Sequence, residues 1–107
     1  MNVTVTGQQV EITPAIRKYV MEKMARVKRH FEPIIDINVV VKVEKLVQHV
    51  EASLRVQGHD LFAKASHTDL YVAIDELVHT LDRQIIRLKE KQQDQRNGNP
   101  IKHLPTD

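Results

Sequence analysis

The stretch IDINVVVKVEK, Ile35–Lys45, alternates its side chains with a period of two. Ile35, Ile37, Val39, Val41 and Val43 fall on one side, and Asp36, Asn38, Lys42 and Glu44 on the other, with Val40 the exception. Successive strand side chains point to opposite faces, so this pattern describes a strand with one buried and one wet face. VEASLRV (Val50–Val56) repeats it, with Val50, Ala52, Leu54 and Val56 inward. LFAKAS (Leu61–Ser66) repeats it more weakly through Leu61, Ala63 and Ala65. Between these two segments QGHD, Gln57–Asp60, is a turn signal. Three consecutive strands sharing one polar face predict an antiparallel meander, wet on one side.

Upstream, Asn2–Thr6 sets Val3 and Val5 against Asn2, Thr4 and Thr6, a short strand that Gly7 ends. A helix follows. Thr13 is a good N-cap, and Pro14 suits the first helical position, where its missing N–H costs nothing. At ~100° per residue, Ile16, Val20, Met24, Val27 and Phe31 fall within an arc of about 80°. Pro33 stops that helix. Downstream, DLYVAIDELVHTLDRQIIRLKEK (Asp69–Lys91) carries the same periodicity in Leu70, Ile74, Leu77, Leu81, Ile85 and Leu88, with Thr68 or Asp69 as cap. From Gln92 the chain is polar and contains Gly98, Pro100 and Pro105, which predicts a mobile tail.

The expected fold is α+β, ordered β-α-β-β-β-α: a four-stranded sheet with both helices packed on one face. Residues 1–92 form the domain, and residues 93–107 form a polar, disordered tail. A chain of 107 residues suits one domain. With no cysteine, disulfides and thiolate zinc sites are excluded. The N-terminus MNVTVTG shows no signal peptide, and no apolar run approaches the ~18 residues that span a membrane. A cytoplasmic protein is expected.

Net charge is only +2, so the distribution of charge matters more than its sum. The first helix holds six of the sixteen basic residues, Arg17, Lys18, Lys23, Arg26, Lys28 and Arg29, opposed there by Glu22 alone. On the last helix His79, Arg83, Arg87 and Lys91 are each four residues apart and form one ridge away from the apolar stripe. Lys89 sits on the other flank. Asp69–Lys91 spans about 35 Å at ~1.5 Å per residue, so its final turns overhang a domain roughly 30 Å across. A basic overhang suits a groove between phosphates, where cations displace condensed counterions. Charged helix backs are also common solvated surface, and Asp75, Glu76, Asp82 and Glu90 are placed to pair with these cations locally.

Other chemistry is poorly supported. The six histidines make no HxxxH pair, Gly7, Gly58 and Gly98 are isolated, and Ser53 and Ser66 lie within strands without a nucleophile–base signature. No cofactor is expected, and no enzymatic activity. Phe62 is the one aromatic on the open sheet face, so the paired aromatics that stack bases on an RNA-recognition sheet are missing. Tyr71 falls partly off the core stripe, as a boundary residue or as an RNA contact.

Three segments together resemble the ribosome hibernation-promoting factor family, its ribosome-associated inhibitor branch included. They are VEITPAIRKYV (Val10–Val20), VVVKVEKL (Val39–Leu46) and Asp69–Lys91, with its DLYVAID opening, Arg83–Gln84 and its Lys89-x-Lys91 ending. The resemblance covers roughly residues 1–92 and is to the short form. It implies a fold similar to a double-stranded RNA-binding domain. It also implies docking on the small ribosomal subunit between head and body, across the messenger and transfer RNA sites, so that translation stops and idle ribosomes are preserved. A separate modulation factor is implied where ribosomes pair. By position, the implied 16S ribosomal RNA contacts are Arg17, Lys23, Arg26, Lys42, Lys45, Tyr71, Arg83, Arg87, Lys89 and Lys91. Members of this family also carry the label sigma-54 modulation protein, though nothing in these residues supports contact with a sigma factor. Two other classes stay open: a protein-interaction regulator of transcription, and a generic binder of double-stranded RNA.

Overall fold

The computed structural model describes residues 2–31 and 33–97, with side chains through residue 91. Its elements are β1 (Asn2–Gln8), α1 (Pro14–His30), β2 (Ile34–Glu44), β3 (Val47–Val56), β4 (His59–His67) and α2 (Leu70–Asn97). The order is the expected β-α-β-β-β-α. The sheet order is β1-β2-β3-β4. β2, β3 and β4 form the antiparallel meander, while β1 pairs parallel to β2. That parallel pair follows from connectivity, because α1 carries the chain back across the sheet between them.

α1 begins as its sequence directs. The Thr13 hydroxyl accepts from the Ile16 N–H at 3.2 Å, and Pro14 takes the first position. Thr13→Ala leaves that N–H without its cap and is expected to lower unfolding free energy by about 1 kcal/mol, read by chemical denaturation. α2 is capped by Asp69, whose Oδ1 accepts from the Tyr71 N–H at 2.9 Å. Ile16, Val20, Met24, Val27 and Phe31 of the first stripe are buried, as are Ile74, Leu77, Leu81, Ile85 and Leu88 of the second. They meet Val5, Ile37, Val39, Val41, Val50, Ala52, Leu54, Val56 and Ala63 from the sheet in one core. Among the described residues no polar side chain is buried with them.

Three details depart from the sequence reading. Ile35 is 45% exposed, and Ile34, at 2%, takes the inward place. The register of β2 against β3 shifts between Ile34 and Asp36, so a bulge turns Ile35 outward where strict alternation puts it inside. Leu61 and Ala65 are only half-buried because β4 is an edge strand, and Val43 and Leu70, near the end of β2 and at the start of α2, are half-buried too. The third concerns length: α2 continues to Asn97, so residues 93–97 of the expected tail are helical. Residues 98–107 of that tail lie outside the described residues.

The hairpin turns are tight. Val56 pairs with His59, leaving Gln57 and Gly58 at the tip, and Gly58 adopts φ +85°, which a glycine enters without a Cβ clash. Glu44 pairs with Val47, leaving Lys45 (φ +58°) and Leu46 at the other tip.

Candidate nucleic-acid interface

Because β1 and β2 are parallel and β4 runs the same way, α1 and α2 both return in the opposite direction. They are therefore parallel neighbours. Tyr19 meets Tyr71 near the start of both helices, and Lys89 reaches His30 near the end of α1. Parallel packing brings the two basic ends to the same end of the domain: Lys28, Arg29 and His30 in the last turn of α1, and Arg83, Arg87, Lys89 and Lys91 on α2. Lys28, Arg29 and His30 also face the negative end of the α1 dipole.

Charge is unequal between the two sides of the sheet. Over residues 14–30 and 70–91 the helices hold ten basic side chains against five acidic ones. The open sheet face sets Lys42, Arg55 and Lys64 against Asp36, Glu44, Glu51 and Asp60. That face is also internally paired. Arg55 bonds Asp36, the Thr4 hydroxyl bonds Asn38 at 2.6 Å, and His49 Nδ1 lies 2.7 Å from the Ser66 hydroxyl. His49 Nε2 is 3.7 Å from Glu44, which lines up a hydroxyl, an imidazole and a carboxylate. Ser66 is solvent-exposed and sits directly opposite His49 across the strand pair, so the contact is a cross-strand polar pair.

The structure sorts the ten expected contact residues. Arg17, Arg26, Arg83, Arg87 and Lys91 are exposed on the helix layer and make no ion pair among the described residues. Arg26 lines a groove between the helices with Lys23, Val27, His30, Asp75, Val78, His79 and Asp82. Lys23 and Lys89 are engaged within the protein: Lys23 Nζ lies 3.5 Å from Asp75, and Lys89 Nζ donates to the His30 carbonyl at 3.2 Å. Tyr71, 41% exposed, packs against Tyr19 with ring centroids 4.8 Å apart and planes at 81°. Lys42 alternates onto the open sheet face, and Lys45 sits at the β2–β3 hairpin tip, at the end where the helices begin. The helix layer therefore gathers eight of the ten, and the other two face elsewhere.

Periodicity does not reveal Tyr19 and Gln84, nor the role of Asp75. Gln84 Nε2 donates to the Phe62 carbonyl at 3.0 Å and fastens α2 to the β4 edge. Tyr19 donates its hydroxyl to Asp75 Oδ1 at 2.5 Å. That hydrogen bond, helped by partial burial and the negative charge of Asp75, pushes the Tyr19 phenol from its ordinary 10.0 up to about 12. A phenol raised on folding contributes stability that is fully present below pH 10.0 and is lost as pH climbs through about 12. Tyr19→Phe is expected to remove that alkaline loss, and chemical denaturation of both proteins across the alkaline range checks it.

Fold and site together define a class: small β-α-β-β-β-α domains in which a parallel helix pair, rather than the open sheet face, carries the excess positive charge. The chain belongs to the sigma 54 modulation protein / S30EA ribosomal protein family, whose model matches residues 3–93. Among curated relatives, the ribosome hibernation promoting factor of Pseudomonas putida is 52% identical over 93 residues, covering 87% of this chain and 91% of that protein. Its counterpart in Azotobacter vinelandii is 47% identical over 98 residues, 92% of each chain. That of Escherichia coli K12 is 41% identical over 91 residues, 85% of this chain and 96% of the relative. Solved structures share the fold, two of them as follows. A ribosomal subunit interface protein from Coxiella burnetii superposes with TM-score 0.81 at 31% identity, over 84% of this chain and 99% of the other. The N-terminal domain of Thermus thermophilus Protein Y gives 0.76 at 32% identity, over 82% and 99%. The family resemblance carried by the three sequence segments is borne out. None of the described helices is long and apolar enough to cross a membrane.

Proposed function

We propose that this chain is a ribosome-binding inhibitor of translation. It docks in the decoding cleft of the small subunit, occupies the messenger and transfer RNA sites, and promotes hibernation of the idle ribosome. It acts in the cytoplasm, by occupancy and without catalysis, and a separate modulation factor assists where ribosomes pair. The observation that carries this reading is the gathering of cations on the parallel helix layer, in a chain whose relatives are named ribosome hibernation promoting factors.

Shape supports the same reading. The domain measures 49 × 27 × 18 Å, a thin wedge. Leu88 is the last buried residue of α2 among those whose side chains are described, and the helix continues to Asn97. Those nine residues add about 13 Å at ~1.5 Å each beyond the core. The projecting end presents Lys91 to a polyanion before the sheet arrives, with Arg87 one turn behind it. A wedge seated in a cleft is touched from more than one side, which gives Lys42 and Lys45 a place in the contact set although they lie off the helix layer. The proposed ribosomal RNA contacts are thus Arg17, Arg26, Arg83, Arg87 and Lys91 first, with Tyr71, Lys23, Lys89, Lys42 and Lys45 beside them.

The test is competition. Labelled protein bound to small subunits is challenged with an arbitrary RNA duplex of equal phosphate content. Retention on the subunit is expected at large duplex excess. Equal partition would make the protein a generic duplex binder. A partner in cell extract that is itself a protein and survives nuclease treatment would favour the transcription-regulator reading instead.

A further inference from the structure

Asp75 is an awkward residue on a surface that meets phosphate. Its side chain is 51% exposed, and it lines the interhelical groove beside Lys23, Arg26, His30 and His79. A carboxylate there repels RNA. Its contacts explain its presence. Oδ1 accepts the Tyr19 hydroxyl at 2.5 Å and lies 3.5 Å from Lys23 Nζ. Tyr19 and Lys23 are four residues apart on one face of α1, so a single α2 carboxylate fastens two successive turns of the neighbouring helix. Lys23 Nζ also lies 5.2 Å from the Tyr19 ring centroid, and Tyr19 meets Tyr71 edge-on. Asp75, Tyr19 and Lys23 thus close a ring across the helix pair, and Tyr71 packs against its Tyr19 edge. α1 otherwise rests on β1 and α2 on β3 and β4, so the two helices sit on opposite halves of the sheet and need a direct tie.

We propose, resting on the ribosomal reading above, that Asp75 is a positioning residue that sets the separation of α1 from α2, and so the spacing of Arg17 and Arg26 from Arg83 and Arg87. Phosphates held in folded RNA have fixed positions. Cations held in register with them need no ordering on binding, which is where a rigid array gains affinity. Asp75 adds a repulsive charge and in return fixes the array.

Charge counting and positioning predict opposite results. Asp75→Ala removes a negative charge and releases Lys23, so electrostatics alone tightens binding to small subunits and leaves the salt slope unchanged or steeper. Positioning instead weakens binding by about 10-fold and makes the slope shallower, because fewer phosphates are engaged at once. Tyr19→Phe changes no charge and is expected to weaken binding several-fold in the same direction. Asp75→Asn keeps an oxygen for the Tyr19 hydroxyl and is expected to recover most of the parent's affinity. Thermal melts confirm that each variant is folded at the temperature of measurement, and the Tyr19 phenol in Asp75→Ala is expected to titrate below the parent's value of about 12, towards 10.0. Binding by Asp75→Ala as tight as the parent's, or tighter, overturns the role of Asp75 while the ribosomal reading stands. Failure of the parent itself to bind small subunits overturns that reading, and the role of Asp75 with it.

Discussion

Replacing Arg83, Arg87 and Lys91 together by alanine is expected to weaken binding to small subunits by roughly 10²-fold and to leave the fold unchanged. The three side chains are exposed on α2, off the stripe of Leu77, Leu81, Ile85 and Leu88, and make no ion pair among the described residues. Each contact of a partly solvated cation with phosphate is worth about 1 kcal/mol, and ~1.4 kcal/mol is a factor of ten, so three such contacts give about two decades. Surface substitutions of this kind move stability by only about 0.5 kcal/mol each. Sedimentation with purified subunits at graded protein concentration measures the loss, and a thermal melt of the variant checks the fold. A folded triple variant that co-sediments as well as the parent removes the ridge from the contact surface.

The second large effect is on salt. If ~5–8 phosphates are neutralised, the logarithm of the affinity falls with that of salt at a slope of several units, and affinity drops by roughly 10³-fold between ~50 and ~200 mM monovalent salt. Magnesium is held constant so that the subunit keeps its shape. The triple variant is expected to lower the magnitude of the slope by about three, one for each phosphate that no longer meets a cation. A parent affinity that changes only a few-fold over this range means that the helix-layer cations are solvated surface and that binding, if any, is carried by other contacts.

Much of the fold was legible in the sequence because most of its elements bury one face. The stripes Ile16–Val20–Met24–Val27–Phe31 and Ile74–Leu77–Leu81–Ile85–Leu88 are buried as their periods require. Alternation failed at Ile35, because a bulge adds a residue to one strand and reverses the face beyond it; an apolar pair such as Ile34–Ile35 is compatible with either phase. The end of α2 was misplaced because apolar periodicity stops at Leu88. QQDQRN contains no helix breaker, and Gly98 with Pro100 were the stronger stop signals.

The site was legible as charge and not as geometry. Counting placed an excess of cations on the first helix and a ridge on the last. That the two basic ends lie side by side depends on parallel helices, which follow once β1 pairs with β2 in parallel. The Tyr19–Asp75 contact joins residues 56 apart in the chain, and no local pattern encodes it. Lys23 and Lys89 look in the sequence like the other cations, yet a carboxylate and a helix-end carbonyl hold them. Lys42 shares its motif with core residues Val39 and Val41, and the strand's period of two sends it to the opposite face.

The most direct measurement is chemical probing of the small subunit's 16S ribosomal RNA with and without saturating protein. Protection is expected along the cleft between head and body, at nucleotides lining the messenger and transfer RNA paths, and is expected to diminish with the Arg83, Arg87 and Lys91 triple variant. Protection confined to other surfaces of the subunit, or a pattern indifferent to the loss of those three cations, contradicts a helix layer built to seat in that cleft.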